Sequence, residues 1–299
     1  ELTALEQDLY EDVTHYVREG MNRAEKLGGK RKNTVGFALP VLQRRLASSP
    51  EAIFQSLGRR IARLQRKRQE TLDGTYTEPA ATIDPDAVDA DEYSSDELES
   101  LEEELLDEAT AARTIHELDA ELAELDTLVA LARQVRDSGT DKKWSELSAI
   151  LQDHVLTTDA KGWPRKLIIF TEHRDTLDYL TTRIGSLLGR PDAVQAIHGG
   201  VARDQRRRIT EEFTKNRNCQ ILVATDAAGE GLNLQAAHLL VNYDLPWNPN
   251  RIEQRFGRVH RIGQTEVCRL WNLVADNTRE GAVFTRLLEK LDQMRQTYG

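Results

Sequence analysis

The sequence predicts an α/β protein, a parallel sheet covered by helices on both faces, preceded by an all-helical region that ends in a coiled-coil-like arm. Three observations predict it. After Gly139, short β-rich runs alternate with helical runs, the pattern of a parallel sheet buried on both faces. Before Gly139 the apolar residues recur at spacings of three and four, as on one face of a helix. Charge also divides the chain: residues 1–70 carry 14 basic and 9 acidic residues, and residues 71–126 carry 1 basic and 20 acidic. Of 299 residues, 39% are hydrophobic, enough for a sizeable core and against a wholly disordered chain. The expected division is a basic helical unit at 1–70, an acidic flexible linker at 71–93, an acidic helical arm or hairpin at 94–138, and the sheet domain at 139–299.

In the helical region, Leu5, Leu9, Val13, Tyr16, Val17 and Met21 give one helix from Thr3 to about Arg23, opened by Thr3 and Glu6 as a capping box. A basic, glycine-rich loop is expected at Gly28–Asn33, followed by an apolar run from Val35 to Leu46. Ser49 and Pro50 form an N-cap and first-turn pair for a third helix. Its buried stripe is Ile53, Leu57, Ile61 and Leu64, with Arg59, Arg60, Arg63, Arg66, Lys67 and Arg68 covering the rest. Residues 71–93, with Pro79, Pro85 and many Asp, have the composition of a linker unable to order itself. Ser94 and Glu97 cap a further helix, whose stripe reads Leu98, Leu101, Leu105, Ala112, Ile115, Leu118, Leu122, Leu125, Val129 and Ala132.

In the sheet domain, strands are expected at Lys166–Phe170, Ala193–Ile197, Gln220–Ala224, His238–Tyr243 and Val267–Val274. Helices are expected at Asp175–Leu188, Arg203–Phe213, Asn250–Val259 and Glu280–Gln296. Ligands of such sheets bind beyond the carboxyl ends of the strands. There the third strand runs into Thr225-Asp-Ala-Ala-Gly-Glu-Gly-Leu-Asn233, where Gly229 and Gly231 permit close backbone approach and Thr225, Asp226 and Asn233 supply polar groups. Read alone, it is equally a loop with glycine at its turns. Asp244-Leu-Pro-Trp-Asn-Pro249 makes a stiff connection to the next helix. That helix and its exit read Gln254-Arg-Phe-Gly-Arg258-Val-His-Arg261-Ile-Gly-Gln264. Arg258 and Arg261, three apart, project from one side of a turn as two permanently charged forks suited to a polyphosphate. A solvated basic face is the ordinary reading of such a run; the flanking glycines and the place after a strand favour a ligand.

Several classes are excluded at this stage. No run of about 18 apolar residues suggests a membrane span. Glu1–Tyr10 lacks the features of a secretory signal. Cys219 and Cys268 make no C-x-x-C spacing, and the seven His residues make no H-x-x-x-H pattern, so no metal site of its own is expected. The expected location is the cytoplasm, of a prokaryotic cell.

Residues 160–299 resemble the second RecA-like domain of superfamily two helicases, most closely the SWI/SNF-type branch with its bacterial relatives of the RapA kind. Lys166–Thr171 matches motif IV, His198-Gly-Gly200 with Arg206 and Phe213 the next block, Thr225–Gln235 motif V and Gln254–Gln264 motif VI. The ending His260-Arg-Ile-Gly-Gln264 is typical of the branch, whereas Gly229-Glu230-Gly231 departs from it. The resemblance implies that Arg258 and Arg261 are arginine fingers supported by Gln254. It implies too that Gly229, Gly231 and Asn233 lie near the nucleotide, and that Thr171, Gly199, Arg203 and Thr225 touch nucleic-acid phosphates. For Arg206 a structural role stands level with a DNA contact. ATP and Mg2+ are the implied cofactors, the Mg2+ held by a first RecA-like domain, because the 299 residues contain neither a G-x-x-x-x-G-K-[ST] loop nor a D-E-x-H tetrad. The helices around Val35–Leu64 resemble the protrusion inserted between the two motor domains.

The expected function is therefore the C-terminal motor half of an ATP-dependent DNA translocase, inactive alone, with the first RecA-like domain and duplex DNA as partners. Two alternatives stay open: half of an RNA helicase, or a noncatalytic interaction module whose acidic arm docks on a partner protein.

Overall fold

The computed structural model describes residues 2–26, 30–77, 100–102, 106, 110, 112–159, 161–226, 234–246, 249–259, 268–275, 278, 281, 284 and 285. The chain forms two compact units, one of Thr3–Asp141 and one built chiefly from Lys142 onward.

The first unit is helical: α1 (Ala4–Glu25), α2 (Lys30–Ser48), α3 (Pro50–Leu72) and α4 (Ile115–Ser138). The Thr3 and Glu6 capping box is present in both directions, and the Ser49 hydroxyl accepts the Ala52 N–H at 3.1 Å. Helix α2 begins at Lys30, inside the segment expected to be a loop, and runs on through Pro40. Its Val35, Leu39, Val41 and Leu42 are buried in the unit's core, and that packing overrides a poor local start and the backbone bond that proline cannot donate.

The acidic region departs from expectation more. Helix α4 opens on an unanticipated Thr114/Glu117 capping box and closes at Gly139 in the left-handed region, φ 70°. It is packed on α3 and α1. Its buried face is Leu118, Glu121, Leu125, Leu128, Ala132 and Val135, so the expected stripe through Leu122 and Val129 was half misplaced. One of the expected covering charges is likewise inside, Arg60 at 1% exposed, and Arg45 of α2 is fully buried as well. The Arg60 guanidinium donates to Glu121 Oε1, Tyr16 Oη and the Leu106 carbonyl, each at 2.7 Å. Glu121 also accepts from Tyr16 at 2.8 Å and from Thr110 at 2.7 Å. Further pairs, Arg44 with Glu102, Arg68 with Asp119 and Arg23 with Glu124, join basic helices to acidic segment. The Ser94/Glu97 cap and the linker from 78 to 93 lie outside the described residues.

In the second unit, α5 (Lys142–Gln152) and the single turn α6 (His154–Thr157) lead into β1 (Lys166–Thr171). After it come α7 (Arg174–Leu188), β2 (Val194–Ile197), α8 (Arg203–Lys215), β3 (Ile221–Thr225), β4 (Ala237–Asn242), α9 (Pro249–Val259) and β5 (Arg269–Asn272). The five strands are parallel in the order β2-β3-β1-β4-β5. Alternate residues of the central strands feed two cores. Leu167, Ile169, Val223 and Val241 meet Leu147 of α5 and Leu177, Leu180 and Ile184 of α7. Ile168, Phe170, Leu222 and Leu240 meet Phe213 of α8 and Val259 of α9. The helix leaving β1 thus lies on one face and the helix leaving β4 on the other. Adjacent strands whose connections part in this way open a crevice at their carboxyl ends. The expected helix Glu280–Gln296 lies almost wholly outside the described residues.

Candidate functional site

The parallel sheet brings Thr171, Thr225 and Asn242 to one edge, Thr171 in register with Thr225. Thr171 is fully buried and Thr225 is 1% exposed. The Thr171 hydroxyl donates to Asp244 Oδ2 at 2.7 Å, while the Glu172 N–H donates to Asp244 Oδ1, also at 2.7 Å. The Thr225 hydroxyl is buried with no hydrogen-bond partner among the described residues. Neither threonine thus presents its hydroxyl at the surface of this structure; they lie behind the edge that the resemblance assigns to phosphate contacts.

One residue that the sequence reading passed over organises this edge. Arg255 of α9 is 3% exposed. Its guanidinium forks onto Asp226, Nε to Oδ1 at 2.5 Å and Nη2 to Oδ2 at 2.8 Å. Its Nη1 donates at 3.0 Å to both Asn242 Oδ1 and the Asp244 carbonyl. Burial opposes its charge, but the Asp226 carboxylate, its hydrogen bonds and the nearby Asp244 and Glu172 outweigh that and hold the Arg255 pKa above its ordinary value. Arg251, one turn back, pairs with the same Asp226 at 3.8 Å. Asn242 in turn donates to Asn272 Oδ1 at 2.7 Å, extending the network to β5. A spacing signal existed: Arg251, Arg255 and Arg258 fall at i, i+4 and i+7 on one side of α9, and Asp226 opens the loop after β3.

Arg258 stands on the next turn and differs from its neighbours. It is half-buried, and its guanidinium makes no ion pair or side-chain hydrogen bond with a described residue. Its carbonyl accepts the Leu234 N–H at 3.3 Å, tying the end of α9 to the chain emerging from the β3 loop. Gln254 is exposed on the same helix. Arg203 is exposed at the first position of α8, also without a side-chain partner among the described residues. Arg206, by contrast, is committed inward. Its Nε donates to the Val201 carbonyl at 2.7 Å and its Nη2 to the Gly199 carbonyl, so it shapes the loop that carries Gly199 by hydrogen bonds to backbone. Gly229, Gly231, Asn233 and Arg261 lie outside the described residues.

The described donors suit an oxyanion: two uncommitted guanidiniums and an amide stand on helices at the carboxyl edge of the sheet. The carboxylates of Asp226 and Asp244 are engaged by Arg255, Thr171 and a backbone N–H. Among the described residues no group of three or more His, Cys, Asp or Glu side chains is placed to hold a metal ion.

A five-stranded parallel sheet of this order with helices on both faces is the RecA-like fold of helicase C-terminal domains, and residues 145–263 match the family described as helicase conserved C-terminal domain. Among curated proteins, the chain is 37% identical over 136 residues to an uncharacterized ATP-dependent helicase of Bacillus subtilis, YqhH, covering 45% of this chain and 23% of that protein. It is 36% identical over 131 residues to the ATP-dependent DNA helicase DDM1 of Arabidopsis thaliana, covering 42% of this chain and 16% of that protein. Among solved structures it resembles the C-terminal part of the Fun30 ATPase domain, with TM-score 0.55 and 18% identity, over 95% of this chain and 86% of that one. The chain thus spans less than a quarter of the length of these two curated relatives.

Proposed function

We propose that this chain is the C-terminal motor half of an ATP-dependent DNA translocase of the SWI/SNF type, with Arg258 and Arg261 as arginine fingers and Gln254 in support. The observation that carries the proposal is the contrast along one side of α9, where Arg251 and Arg255 are bound to Asp226 and Arg258 is not. A cation held on a helix beside a crevice, without a side-chain partner among the described residues, is placed to meet an anion from outside. ATP, when bound, supplies the phosphoryl group whose transfer drives the motor. From this side Arg258, Arg261 and Gln254 would hold its phosphates, with Gly229, Gly231 and Asn233 close by, and Mg2+ would be held by a first RecA-like domain. The role of the arginines is to neutralise charge that develops on the transferred group, worth roughly 10³ to 10⁵ in rate. Arg203, at a helix N-terminus that already favours anions, and the backbone at Gly199 would take the phosphates of a DNA strand. Thr171 and Thr225 would act from behind by fixing the backbone of their loops. The DNA helicase among the relatives supports DNA as the track.

The test is kinetic and uses the complete protein that carries this chain. Arg258→Ala and Arg261→Ala should each lower kcat by about 10³ while nucleotide binding changes far less. Small and equal effects on both parameters would return these arginines to a solvated face. ATPase should rise with duplex DNA more than with single-stranded RNA, and DNA affinity should fall steeply with salt. This chain alone should turn over no ATP, and turnover surviving removal of contaminating ATPases would overturn the half-motor reading.

A further inference from the structure

We infer that Arg255 is a positioning residue for Arg258, the buried tie that sets the finger-bearing turn of α9 against the ends of β1, β3 and β4. The inference rests on the proposed role of Arg258 and adds a residue to it.

The geometry carries it in three steps. Arg255 has five N–H donors, and four hydrogen bonds here use them on three separate segments. The Asp226 fork holds the start of the loop after β3, the Asn242 bond holds the last residue of β4, and the Asp244 carbonyl holds the connection into α9. Asp244 then passes the constraint on, because its carboxylate holds the Thr171 hydroxyl and the Glu172 N–H at the end of β1. Arg258 lies three residues further along the same helix, and its carbonyl is bonded to Leu234 beyond the β3 loop. The ends of β1 and β3, through Glu172 and Asp226, and the Arg258 turn are therefore referenced to one guanidinium. A planar fork fixes orientation as well as distance, which a lysine amine in the same place would not. Phe170 lies under the guanidinium, 5.4 Å from ring centroid to Cζ, and closes that side of the site.

A merely structural Arg255 would lower stability and leave the chemistry of folded molecules alone. A positioning Arg255 acts through Arg258, and the two roles separate in a double-mutant comparison on the complete protein. Arg255→Lys should reduce kcat by about 10²-fold, the cost of misplacing a catalytic group by about 1 Å, with KM changed much less. In an Arg258→Ala background the same change should reduce kcat no further, while amide hydrogen exchange at Glu172 and Leu234 rises in both backgrounds. Asp226→Asn keeps Arg255 but weakens the fork, and should reproduce the pattern if the lysine variant fails to fold. An unchanged kcat for both Arg255→Lys and Asp226→Asn overturns the inference, as does an equal fold-loss with and without Arg258. If Arg258→Ala itself leaves kcat at the wild-type level, the finger reading fails instead, a result visible before any Arg255 variant is made.

Discussion

Arg60 in the helical unit and Arg255 in the sheet unit are 1% and 3% exposed, and each is hydrogen-bonded to a carboxylate of its own chain. Their surroundings differ. Arg60 is one member of a buried cluster with Tyr16, Glu121, Thr110 and the Leu106 carbonyl, set within the apolar core of the helical unit. Burial works against the Glu121 charge, but Arg60 and the hydroxyls of Thr110 and Tyr16 outweigh it and hold its carboxyl below the usual carboxylate range. Burial likewise raises the pKa of the Tyr16 phenol. Arg255 is just as well bonded, but its partners each lead to a loop at the carboxyl edge, and the next turn of its helix bears a guanidinium with no partner among the described residues. A satisfied buried arginine is thus not by itself a sign of a functional site. What stands one turn away decides whether it stabilises a fold or aims a side chain.

The largest effect expected from this comparison is on the helical unit. Arg60→Ala leaves Glu121 as an uncompensated buried charge and should destabilise that unit by about 3–5 kcal/mol in urea unfolding. Replacing Arg60 with Met and Glu121 with Leu together should recover much of that loss and leave ATPase of the complete protein intact. The corresponding apolar replacement of Arg255 and Asp226 should not restore kcat, and equal behaviour of the two pairs would erase the distinction between them. Next in size is Asp244→Ala, which strips the buried Thr171 hydroxyl and the Glu172 N–H of their acceptor and should cost about 1–3 kcal/mol per orphaned group, seen as a lower Tm of the sheet unit.

A smaller and more specific effect concerns acid. Because the folded pKa of Glu121 is depressed, its contribution is complete above the ordinary carboxylate value and is lost as pH falls through the folded one. The urea midpoint of the helical unit should therefore decline between about pH 5 and pH 3, and Glu121→Gln should flatten that decline. A wild-type midpoint independent of pH across this range would show that the cluster is not held by charge. The smallest change is Ser49→Ala, which removes the cap of α3 and should cost about 1 kcal/mol with no change in kcat.

The acidic segment gives the comparison a second use. Read as composition, it is a region of 1 basic and 20 acidic residues that repels DNA. In the structure Glu102, Asp119, Glu121 and Glu124 face Arg44, Arg68, Arg60 and Arg23, so its described part is the counter-charge of the basic helices. Most of these contacts are partly exposed and contribute little each. The buried Arg60 contact and the leucine face of α4 are what hold the segment in place.

Much of this protein is written locally and could be read without coordinates. The Thr3/Glu6 and Ser49-Pro50 starts depend on residues three apart or adjacent, and the alternation of β-rich and helical runs depends on windows shorter than ten residues. The positions of Arg258, Gln254, Arg203 and Gly199 beyond strand ends follow from that alternation, because a parallel sheet puts all carboxyl ends on one edge. What local pattern does not contain is which charges are solvated. Arg60 and Glu121 are 61 residues apart, and Arg255 and Asp226 are 29 apart. In sequence both arginines sit in basic runs and look like surface. The start of α2 at Lys30, the register of α4 and the burial of Thr171 and Thr225 are of the same kind. Each is settled by packing against distant segments, because an ionised or polar group enters a core only where the whole fold delivers its partner to it.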